Sequence, residues 1–422
     1  MKVKEKVFKW VVGAMGILLI GYGFLLWQRK ATSPPADMKL YFSVSTQLSE
    51  GKIPYRDFTV EYPPLALLPL VVPHLVTAGM TLDYRAYSLL YLLETFLLLL
   101  LIAFALLQVA RFWPDSLSPW RLLAVYLLLI ILSKDFVFWR YDLFPAWLTL
   151  LAFLAVLKKQ PLLAGIWIGL AIMAKLYPVI LIPVLLVYYL AGHQYRASVR
   201  LVAGTGLAVA LVLVPVVFLS GNQVFSFLTY HQLRGLQIES LAGGLVLLGH
   251  VTDLSRVSTV FNYGAFHLEA SGVELVLKAL PGLFLAAFCA LLAGCWFRFR
   301  REYGQTGAIS ADSLLRFLLA ALLVFITTNK VFSPQYLIWL LPFVLFLRVK
   351  QIAWVAFIFL LTTLVYPVFY PQLVDPTVFG VLLLTARNGF VLFFFVQLVR
   401  KKRNAAHQDL VLQLSESKQT TK

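Results

Sequence analysis

Charged residues are scarce in this sequence, since Asp, Glu, Lys and Arg together make up only 13% of its 422 residues. A soluble domain carries roughly 25%. Cysteine is almost absent as well, and the two cysteines, Cys289 and Cys295, lie in one apolar run. Two such cysteines form neither a disulfide framework nor the ligand spacing of a zinc site. The sequence is therefore neither an ordinary soluble domain nor a small disulfide-stabilised one.

The sequence also lacks the short motifs of several enzyme classes. It has no Gly-rich phosphate loop of the Walker A type, no His-Glu-x-x-His, no Cys-x-x-Cys and no Gly-x-Ser-x-Gly. These absences argue against a protein that is driven by nucleotide hydrolysis, and we predict that it uses no cofactor.

Long apolar runs are abundant, and 61% of the residues are hydrophobic. Six of these runs approach the ~20 residues that span a bilayer as a helix. They are residues 11–27, 89–109, 122–132, 201–219, 276–295 and 314–327. A helix satisfies all its backbone polar groups within one segment, which a single strand cannot do. We therefore predict an all-α polytopic membrane protein that is embedded in the lipid bilayer.

Basic residues outnumber acidic ones by 36 to 19, and a net charge of +17 would suit a nucleic-acid partner. The distribution of the basic residues indicates otherwise, because they form short clusters between apolar runs, as the positive-inside rule produces. We therefore predict no nucleic-acid partner and a cytoplasmic location for each cluster. The strongest clusters lie at residues 2–9, 158–159, 298–301, 348–350 and 400–403.

Charge parity predicts about twelve spans with both termini in the cytoplasm. The first cluster after the first span holds Arg111 and Arg121, so an odd number of crossings must lie between the outer end of the first span and that cluster. Residues 65–76 are short and contain two prolines, so we predict that they lie at the outer interface or form a re-entrant helix. Residues 84–110 then make the crossing, and Thr81 is expected on the external side.

This topology defines one transmembrane domain, residues 1–403, followed by a tail over residues 404–422. The tail is polar, and we predict that it is disordered. The long external segments are residues 28–83 and residues 221–269.

Ionisable residues that hydropathy does not explain collect on the external side. A charge at membrane depth costs roughly 2.5–3.5 kcal/mol on insertion scales, so it is usually paired or functional. Carboxylates and cations together suit a substrate that carries a phosphate and a hydroxyl group to be deprotonated. The candidates for substrate binding are Arg56, Glu61, Tyr62, Arg140, Asp142, Lys175, His231, Arg234, Glu239, Lys330 and Gln335.

Several candidates also have a purely structural interpretation. Lys175 and Lys330 can each hold a phosphate as a point charge, or they can be interfacial lysines that extend toward water. Arg140 and Asp142 can simply pair with each other. Arg387 lies inside the last apolar run. We therefore expect it to pair with another group of the helix bundle rather than to take part in the reaction.

Asp37 follows Ser-Pro-Pro-Ala just after the first span, at the start of an amphipathic segment. A carboxylate in this position can act as a general base on an acceptor hydroxyl group. Alternatively, Asp37 caps a helix N-terminus, since Asp is a good N-cap residue. Spacing alone favours the cap.

Motifs along much of the chain resemble those of a known enzyme family. The stretch from Asp37 to Pro64, which ends Tyr-Arg-Asp-Phe-Thr-Val-Glu-Tyr-Pro-Pro, resembles the first external loop of the GT-C glycosyltransferase superfamily. Four motifs follow it in order: Trp-Arg-Tyr-Asp-Leu-Phe-Pro-Ala, Gly-Leu-Ala-Ile-Met-Ala-Lys-Leu-Tyr-Pro, Leu-Gln-Ile-Glu-Ser-Leu and Asn-Lys-Val-Phe-Ser-Pro-Gln-Tyr-Leu-Ile-Trp. Together they are most similar to the polyprenol-phosphate-mannose-dependent mannosyltransferases of glycosyltransferase family 87. Lys-x-Tyr-Pro and Asn-Lys-Val-x-x-x-Gln-Tyr also resemble the catalytic subunit of glycosylphosphatidylinositol mannosyltransferase I.

The resemblance covers about residues 37–343 and implies a GT-C-type helix bundle. It implies an inverting, metal-independent transfer from a lipid-phosphate sugar on the non-cytoplasmic face. Asp37 would be the catalytic aspartate, and Lys175 and Lys330 would contact the phosphate. Arg140 and Asp142 would form the polar motif of the second external loop. The first loop has a lone Asp37 where some GT-C branches have Asp-x-Asp, which argues against a metal-bridged site.

The sequence therefore predicts a plasma-membrane mannosyltransferase that acts on a cell-envelope glycan. No segment is long and mixed enough in polarity to bind a nucleotide sugar, so the donor is expected to be a polyprenyl-phosphate sugar. The acceptor is expected to be a glycolipid or a glycan. The alternative is a multi-span transporter or flippase of lipid-linked sugars. Such folds usually show two halves of matched hydropathy, and this sequence shows no such halves. A third possibility is a non-catalytic assembly scaffold, which would not need so many external ionisable residues.

Overall fold

A computed structural model describes residues 2–32, 35–77, 82–113 and 118–400, with the side chains of residues 2–8 and 31–32 left aside. The predicted external position of Thr81 and the predicted disorder of residues 404–422 concern residues outside these ranges.

Within the described ranges the chain is mostly helical, with one two-stranded hairpin. The helices of the first half are α1 (Lys2–Thr32), α2 (Ala36–Ser49), α3 (Leu67–Val76), α4 (Tyr84–Ala110), α5 (Pro119–Leu132), α6 (Lys134–Val137), α7 (Leu143–Leu157), α8 (Pro161–Ala174) and α9 (Leu181–Ala191). Those of the second half are α10 (Tyr195–Ser220), α11 (Ser226–Leu233), α12 (Leu241–Gly249), α13 (Val273–Thr306), α14 (Ala311–Thr328), α15 (Leu341–Val344), α16 (Val349–Thr363), α17 (Pro371–Val374) and α18 (Val378–Val399). The strands are β1 (Ser258–Asn262) and β2 (Ala265–Glu269), which pair antiparallel.

Seven helical segments in the described ranges are long and apolar enough to cross a membrane. They are Lys9–Lys30, Tyr84–Ala110, Tyr195–Leu233, Val273–Thr306, Ala311–Thr328, Val349–Val368 and Val378–Val399. Six shorter apolar segments accompany them: Pro64–Val76, Pro119–Leu132, Leu143–Leu157, Pro161–Ala174, Tyr177–Ala191 and Pro334–Val344. The predicted all-α polytopic fold is confirmed. If Pro64–Val76 does not span, the other segments are consistent with about twelve crossings.

The outer surface of the long helices is strongly apolar. Phe218 is 86% exposed, and Leu275 and Phe297 are each 72% exposed. A continuous apolar surface of this kind is stable against lipid tails, whereas in water it would drive association. These faces are therefore the lipid-facing surface of a multi-pass protein.

Helices α8 and α10 approach each other so closely that backbone touches backbone. A Cβ atom on Gly165 would lie 2.1 Å from the carbonyl oxygen of Leu201, and one on Gly204 would lie 2.2 Å from that of Leu162. Small residues at such a crossing are a common means of helix association in membranes. Because α8 ends at Ala174, this crossing fixes the position of the residue that follows, Lys175.

The first long loop is folded against the bundle through α2 and α3. Helix α2 buries Met38 and Tyr41, and the hydroxyl of Ser45 is 2.7 Å from Nδ1 of His74 in α3. Pro35 occupies the N-cap position of α2, where no side chain makes a capping bond, and Asp37 lies in the first turn. The hypothesis that Asp37 is the N-cap is therefore wrong, and its carboxylate is available for another partner.

The second long segment carries a small sheet-like unit. Residues 236–238 run beside β2, since the Ile238 amide donates to the Phe266 carbonyl at 3.1 Å and the Leu268 amide donates to the Leu236 carbonyl at 2.8 Å. The Gln237 amide also donates to the Lys330 carbonyl at 2.9 Å. This unit brings the chain before α12 next to the chain that follows α14.

We predict that Gly204→Ala destabilises the protein, because the added methyl group would overlap the α8 backbone. Overpacking of this kind typically costs about 1–3 kcal/mol. Thermal unfolding of the purified protein in detergent should show a lower midpoint for Gly204→Ala. Gly206→Ala in the same helix is the matched control, since nothing lies within 4 Å of its Cβ position. Equal midpoints for the two variants would contradict the close crossing.

Candidate active site

The first polar contact of the site joins Asp37 to Arg140. Asp37 comes from the first turn of α2, and Arg140 lies in the turn between α6 and α7. Nη1 of Arg140 forms an ion pair with Oδ2 of Asp37. The Asp37 side chain keeps 28% of its surface exposed, so its carboxylate remains accessible. The interpretation of Arg140 and Asp142 as a mutual pair is wrong, because each has a different partner.

The second contact is a buried ion pair between Asp142 and Lys175. Oδ1 of Asp142 accepts hydrogen bonds from Nζ of Lys175 at 2.6 Å and from Nε1 of Trp339 at 2.7 Å. The Asp142 side chain is 1% exposed, and its Oδ2 has no hydrogen-bond partner among the described residues. An ammonium group has three donors, and Asp142 takes one from Lys175. The pair therefore fixes the lysine and leaves donors for a ligand.

Aromatic rings surround this ion pair on two sides. The Trp339 ring stacks on Tyr177, with centroids 4.2 Å apart, and on Tyr336, with centroids 3.8 Å apart. On the other side, the Tyr62 and Tyr141 rings meet edge to face at 5.0 Å. Nζ of Lys175 lies 4.7 Å from the centroid of Tyr141, which adds a cation–π contact. The rings exclude water and hold the charged groups in place.

Glu61 belongs to the same group of side chains. Its carboxylate acts electrostatically on the ammonium group of Lys175 and on the hydroxyl groups of Tyr62 and Tyr230. Glu61 of the first loop is therefore within electrostatic range of Lys175, and its neighbour Tyr62 contacts the Tyr141 ring that Lys175 faces.

Three candidates of the later segments, His231, Arg234 and Lys330, lie together. His231 in α11 is within electrostatic range of Arg234, Lys175 and Lys330. Nζ of Lys330 donates to the backbone carbonyls of Gln232 at 2.8 Å and of Arg234 at 2.5 Å. Burial and the Arg234 charge lower the pKa of Lys330. Lys330 thus anchors the end of α11 and keeps one donor for a ligand.

Glu239 is a second buried carboxylate at this end of the bundle, at 2% exposure. Its Oε2 accepts a hydrogen bond from Nε2 of Gln237 at 2.6 Å, while Oε1 of Gln237 accepts from the Phe332 amide at 2.8 Å. Burial raises the pKa of the Glu239 carboxyl to about 7, although the charges of Arg387 and Arg140 oppose this shift. Glu239 therefore takes up a proton near neutral pH.

Arg387 has the partner within the bundle that the sequence predicts, because its Nη2 donates to the Glu239 carbonyl at 2.6 Å. Its Cζ lies 4.0 Å from the centroid of the Phe332 ring. The partnership is incomplete, since Nε and Nη1 have no hydrogen-bond partner among the described residues.

Two candidates lie apart from these contacts. Arg56 pairs with its neighbour Asp57 at 2.9 Å on the exposed part of the first loop. Gln335 is half-buried at the start of the 3₁₀ turn Pro334–Leu340. In the described ranges, no group of three or more His, Cys, Asp and Glu side chains is placed to hold a metal ion.

Trp339, which touches both the ion pair and the aromatic wall, is not among the predicted site residues, although it ends the motif Asn-Lys-Val-Phe-Ser-Pro-Gln-Tyr-Leu-Ile-Trp. A further signal was that Trp339 follows Tyr336 by three residues, so that both fall on one side of a helical turn. An indole N–H that is buried usually finds an acceptor, but the sequence does not say that the acceptor is Asp142.

The balance of charge in the site suits an anion. The cations are Arg140, Lys175, Arg234, Lys330 and Arg387, and the carboxylates are Asp37, Glu61, Asp142 and Glu239. With all nine groups ionised the net charge is +1, and protonation of Glu239 raises it to +2. A phosphodiester carries one negative charge, and the accessible carboxylate of Asp37 can accept a proton from a neighbouring hydroxyl group. The site therefore has the groups for substitution next to a phosphate.

We predict that the buried pair couples strongly in a double-mutant cycle. Asp142→Asn and Lys175→Met should each destabilise the protein by about 3–5 kcal/mol, because each leaves a buried charge without its partner. The double variant should lose much less unfolding free energy than the sum of the two single losses. The measurement is reversible unfolding of the purified protein.

The exposed pair of Asp253 and Arg256, whose atoms are 2.7 Å apart, provides the control cycle. Asp253→Asn and Arg256→Met should couple by less than about 1 kcal/mol. Additive effects at Asp142 and Lys175 would show that the buried pair does not act as a unit.

The sequence profile of glycosyltransferase family 87 matches residues 58–328. The match includes Glu61, Arg140, Asp142, Lys175 and Glu239, but it begins after Asp37 and ends before Lys330. No curated protein matches the sequence.

Two solved structures of ArnT from Cupriavidus metallidurans are similar in fold. One is bound to undecaprenyl phosphate and is 16% identical to this chain. The aligned region covers 91% of this chain and 76% of the ArnT chain, with a TM-score of 0.48. The other is in the apo state and is also 16% identical. Its aligned region covers 92% of this chain and 77% of the ArnT chain, with a TM-score of 0.47.

The match to the family profile extends over well more than half of the chain and agrees with the resemblance that the sequence motifs indicate. The protein therefore belongs to glycosyltransferase family 87, and it is a multi-pass membrane glycosyltransferase.

Proposed function

We propose that this glycosyltransferase moves a sugar from a polyprenyl-phosphate donor to a hydroxyl group of a glycolipid or glycan, and that the sugar is mannose. The observation that carries the proposal is the convergence of two ion pairs, Asp37 with Arg140 and Asp142 with Lys175, from three separate parts of the chain. Arg140 and Asp142 are two residues apart, so the carboxylate of Asp37 and the ammonium of Lys175 are held close to each other. The proposal includes a place in the plasma membrane and in the assembly of a cell-envelope glycan.

The donor in this proposal is carried by the membrane. The polar group of side chains lies at the ends of apolar helices, where a lipid phosphate can approach from the bilayer. Lys175, Arg234 and Lys330 supply positive charge for that phosphate, and the net positive charge of the site suits an anionic phosphodiester. Family membership also favours a transfer reaction over the alternative of a transporter or flippase.

Asp37 is the proposed general base. The acceptor oxygen attacks the anomeric carbon from the face opposite the phosphate, and its proton moves to the Asp37 carboxylate. The bond between the anomeric carbon and the phosphate oxygen breaks, and its electron pair stays with the lipid phosphate. Attack from the opposite face inverts the configuration. Because the leaving group gains negative charge, neighbouring cations stabilise the transition state.

In this proposal residues 28–83 and 221–269 are extracytoplasmic, both termini are cytoplasmic, and residues 1–403 form one transmembrane glycosyltransferase domain. The active site then faces away from the cytoplasm. The placement is supported by the basic clusters, which alternate with the apolar segments as the positive-inside rule requires.

We predict that Asp37→Asn lowers the transfer rate by ~10²–10⁴-fold, the usual effect of removing a general base. Asn keeps the shape of Asp and a hydrogen-bond acceptor for Arg140, so expression and donor binding should stay near wild type. The measurement is transfer of radiolabelled mannose from polyprenyl phosphate by purified protein in lipid nanodiscs.

Asp57→Asn in the same loop is the matched control and should keep full activity, because Asp57 contacts only the exposed end of the loop. Activity of Asp37→Asn within a few-fold of wild type would refute the assignment and transfer the role to Glu61 or Asp142. Failure of wild-type protein to transfer any polyprenyl-phosphate sugar would refute the proposed function itself.

Cysteine labelling tests the proposed topology, once Cys289 and Cys295 have been replaced. Lys52→Cys lies on the exposed first loop and Lys158→Cys at the end of α7. A membrane-impermeant maleimide should label position 52 in intact cells, and position 158 only after the membrane is opened. The reverse pattern would place the active site on the cytoplasmic face.

A further inference from the structure

We propose that Glu239, Arg387 and Asn388 form a subsite that binds hydroxyl groups of the transferred sugar. The inference rests on the proposed function, since it names the part of the site that would recognise the sugar of the lipid-linked donor. It assigns a role in sugar selection to two residues of α18, a helix that neither the sequence motifs nor the match to the family includes.

The three side chains are deeply buried and only partly satisfied. Glu239 is 2%, Arg387 is 1% and Asn388 is 3% exposed. Each is held at one end: Glu239 by Gln237, Arg387 by the Glu239 carbonyl, and Asn388 by the Ser240 carbonyl at 3.3 Å. The other ends are Oε1 of Glu239, Nε and Nη1 of Arg387, and Oδ1 of Asn388, and these have no hydrogen-bond partner among the described residues.

A fixed backbone holds the three residues in this arrangement. The side chain of Asn388 packs so closely on Gly244 of α12 that a Cβ atom there would lie 2.8 Å from Nδ2. This contact and the bonds to the carbonyls of residues 239 and 240 tie α18 to the start of α12. The unpartnered atoms are therefore preorganised, and leaving a buried polar group unsatisfied costs about 1–3 kcal/mol. A bound ligand that pairs with them would recover this cost.

The unpartnered atoms match a sugar better than they match a phosphate. They comprise two donors on Arg387 and two acceptors, one on Glu239 and one on Asn388. A sugar hydroxyl group both donates and accepts a hydrogen bond, so adjacent hydroxyl groups can pair with both kinds of atom. A phosphate oxygen only accepts, and the carboxylate of Glu239 would repel it when ionised.

The subsite is continuous with the groups that would hold the phosphate and the base. Tyr336 interacts electrostatically with Arg234, Asp142 and Glu239. Arg140, the partner of Asp37, also acts on Glu239. A sugar beside Glu239 would therefore lie near the cations that this proposal assigns to its phosphate. Tyr370, which interacts with Glu239, adds an aromatic ring beside the subsite.

The test compares two lipids that differ only in the sugar. Polyprenyl phosphate and a non-transferable mannosyl phosphonate of the same lipid are titrated into full-length protein in nanodiscs. We expect Glu239→Gln and Asn388→Ser each to weaken binding of the mannosyl lipid by about 10-fold or more. Binding of polyprenyl phosphate should stay within two-fold. Lys175→Ala should weaken binding of both lipids, because it removes a phosphate contact.

Glu269→Gln and Asn222→Ser are matched controls on exposed positions and should change neither affinity. Thermal midpoints identify a variant that has lost its fold, in which case the other variant decides the result. The subsite is also expected to distinguish epimers of mannose on the same lipid, and this discrimination should shrink in both variants.

Three outcomes would overturn the proposal. If wild type binds the mannosyl lipid more tightly than the bare lipid and neither folded variant changes this, the subsite holds ordered water only. If both variants weaken both lipids equally, the cluster binds phosphate or is structural. If wild type binds neither lipid, the proposed function fails, and the subsite fails with it.

Discussion

The buried carboxylate of Asp142 sets a constraint that much of the site satisfies. A charge at this depth is tolerated only with a partner of opposite sign and with further hydrogen bonds. Lys175 supplies the charge and Trp339 supplies the N–H group, both on Oδ1. Three distant parts of the chain must therefore meet at one atom. The aromatic rings on either side follow from the same requirement, because they exclude water from the pair.

Two backbone features keep these parts in place. The glycine crossing of α8 and α10 fixes the end of α8, and with it Lys175. The sheet-like unit of residues 236–238 fixes Glu239 beside the chain that follows α14. Both depend on backbone contact and not on side-chain packing alone. Rigidity of this kind suits a site whose charged groups have to stay aligned inside an apolar environment.

The site combines three kinds of group. Asp37 is accessible and paired with Arg140, while Lys175, Arg234 and Lys330 lie within electrostatic range of His231. Glu239 is buried and lies within electrostatic range of Tyr336. A base, an anion site and a buried set of mixed donors and acceptors are the three parts that a sugar transfer from a lipid phosphate would use.

Hydropathy and charge clusters determined the all-α polytopic class and about twelve segments, because a bilayer accepts little else than apolar helices. Local motifs also identified Glu61, Tyr62, Arg140, Asp142 and Lys175 as residues of one site. Only the tertiary structure decided the pairing: Asp37 joins Arg140 and Asp142 joins Lys175, where sequence proximity suggested Arg140 with Asp142. The acceptor of the Trp339 N–H group was beyond the sequence for the same reason, and the sequence placed the partner of Arg387 within the bundle without naming the Glu239 carbonyl. Which buried charge meets which partner depends on contacts between segments up to 197 residues apart, and local patterns carry no information about such distances.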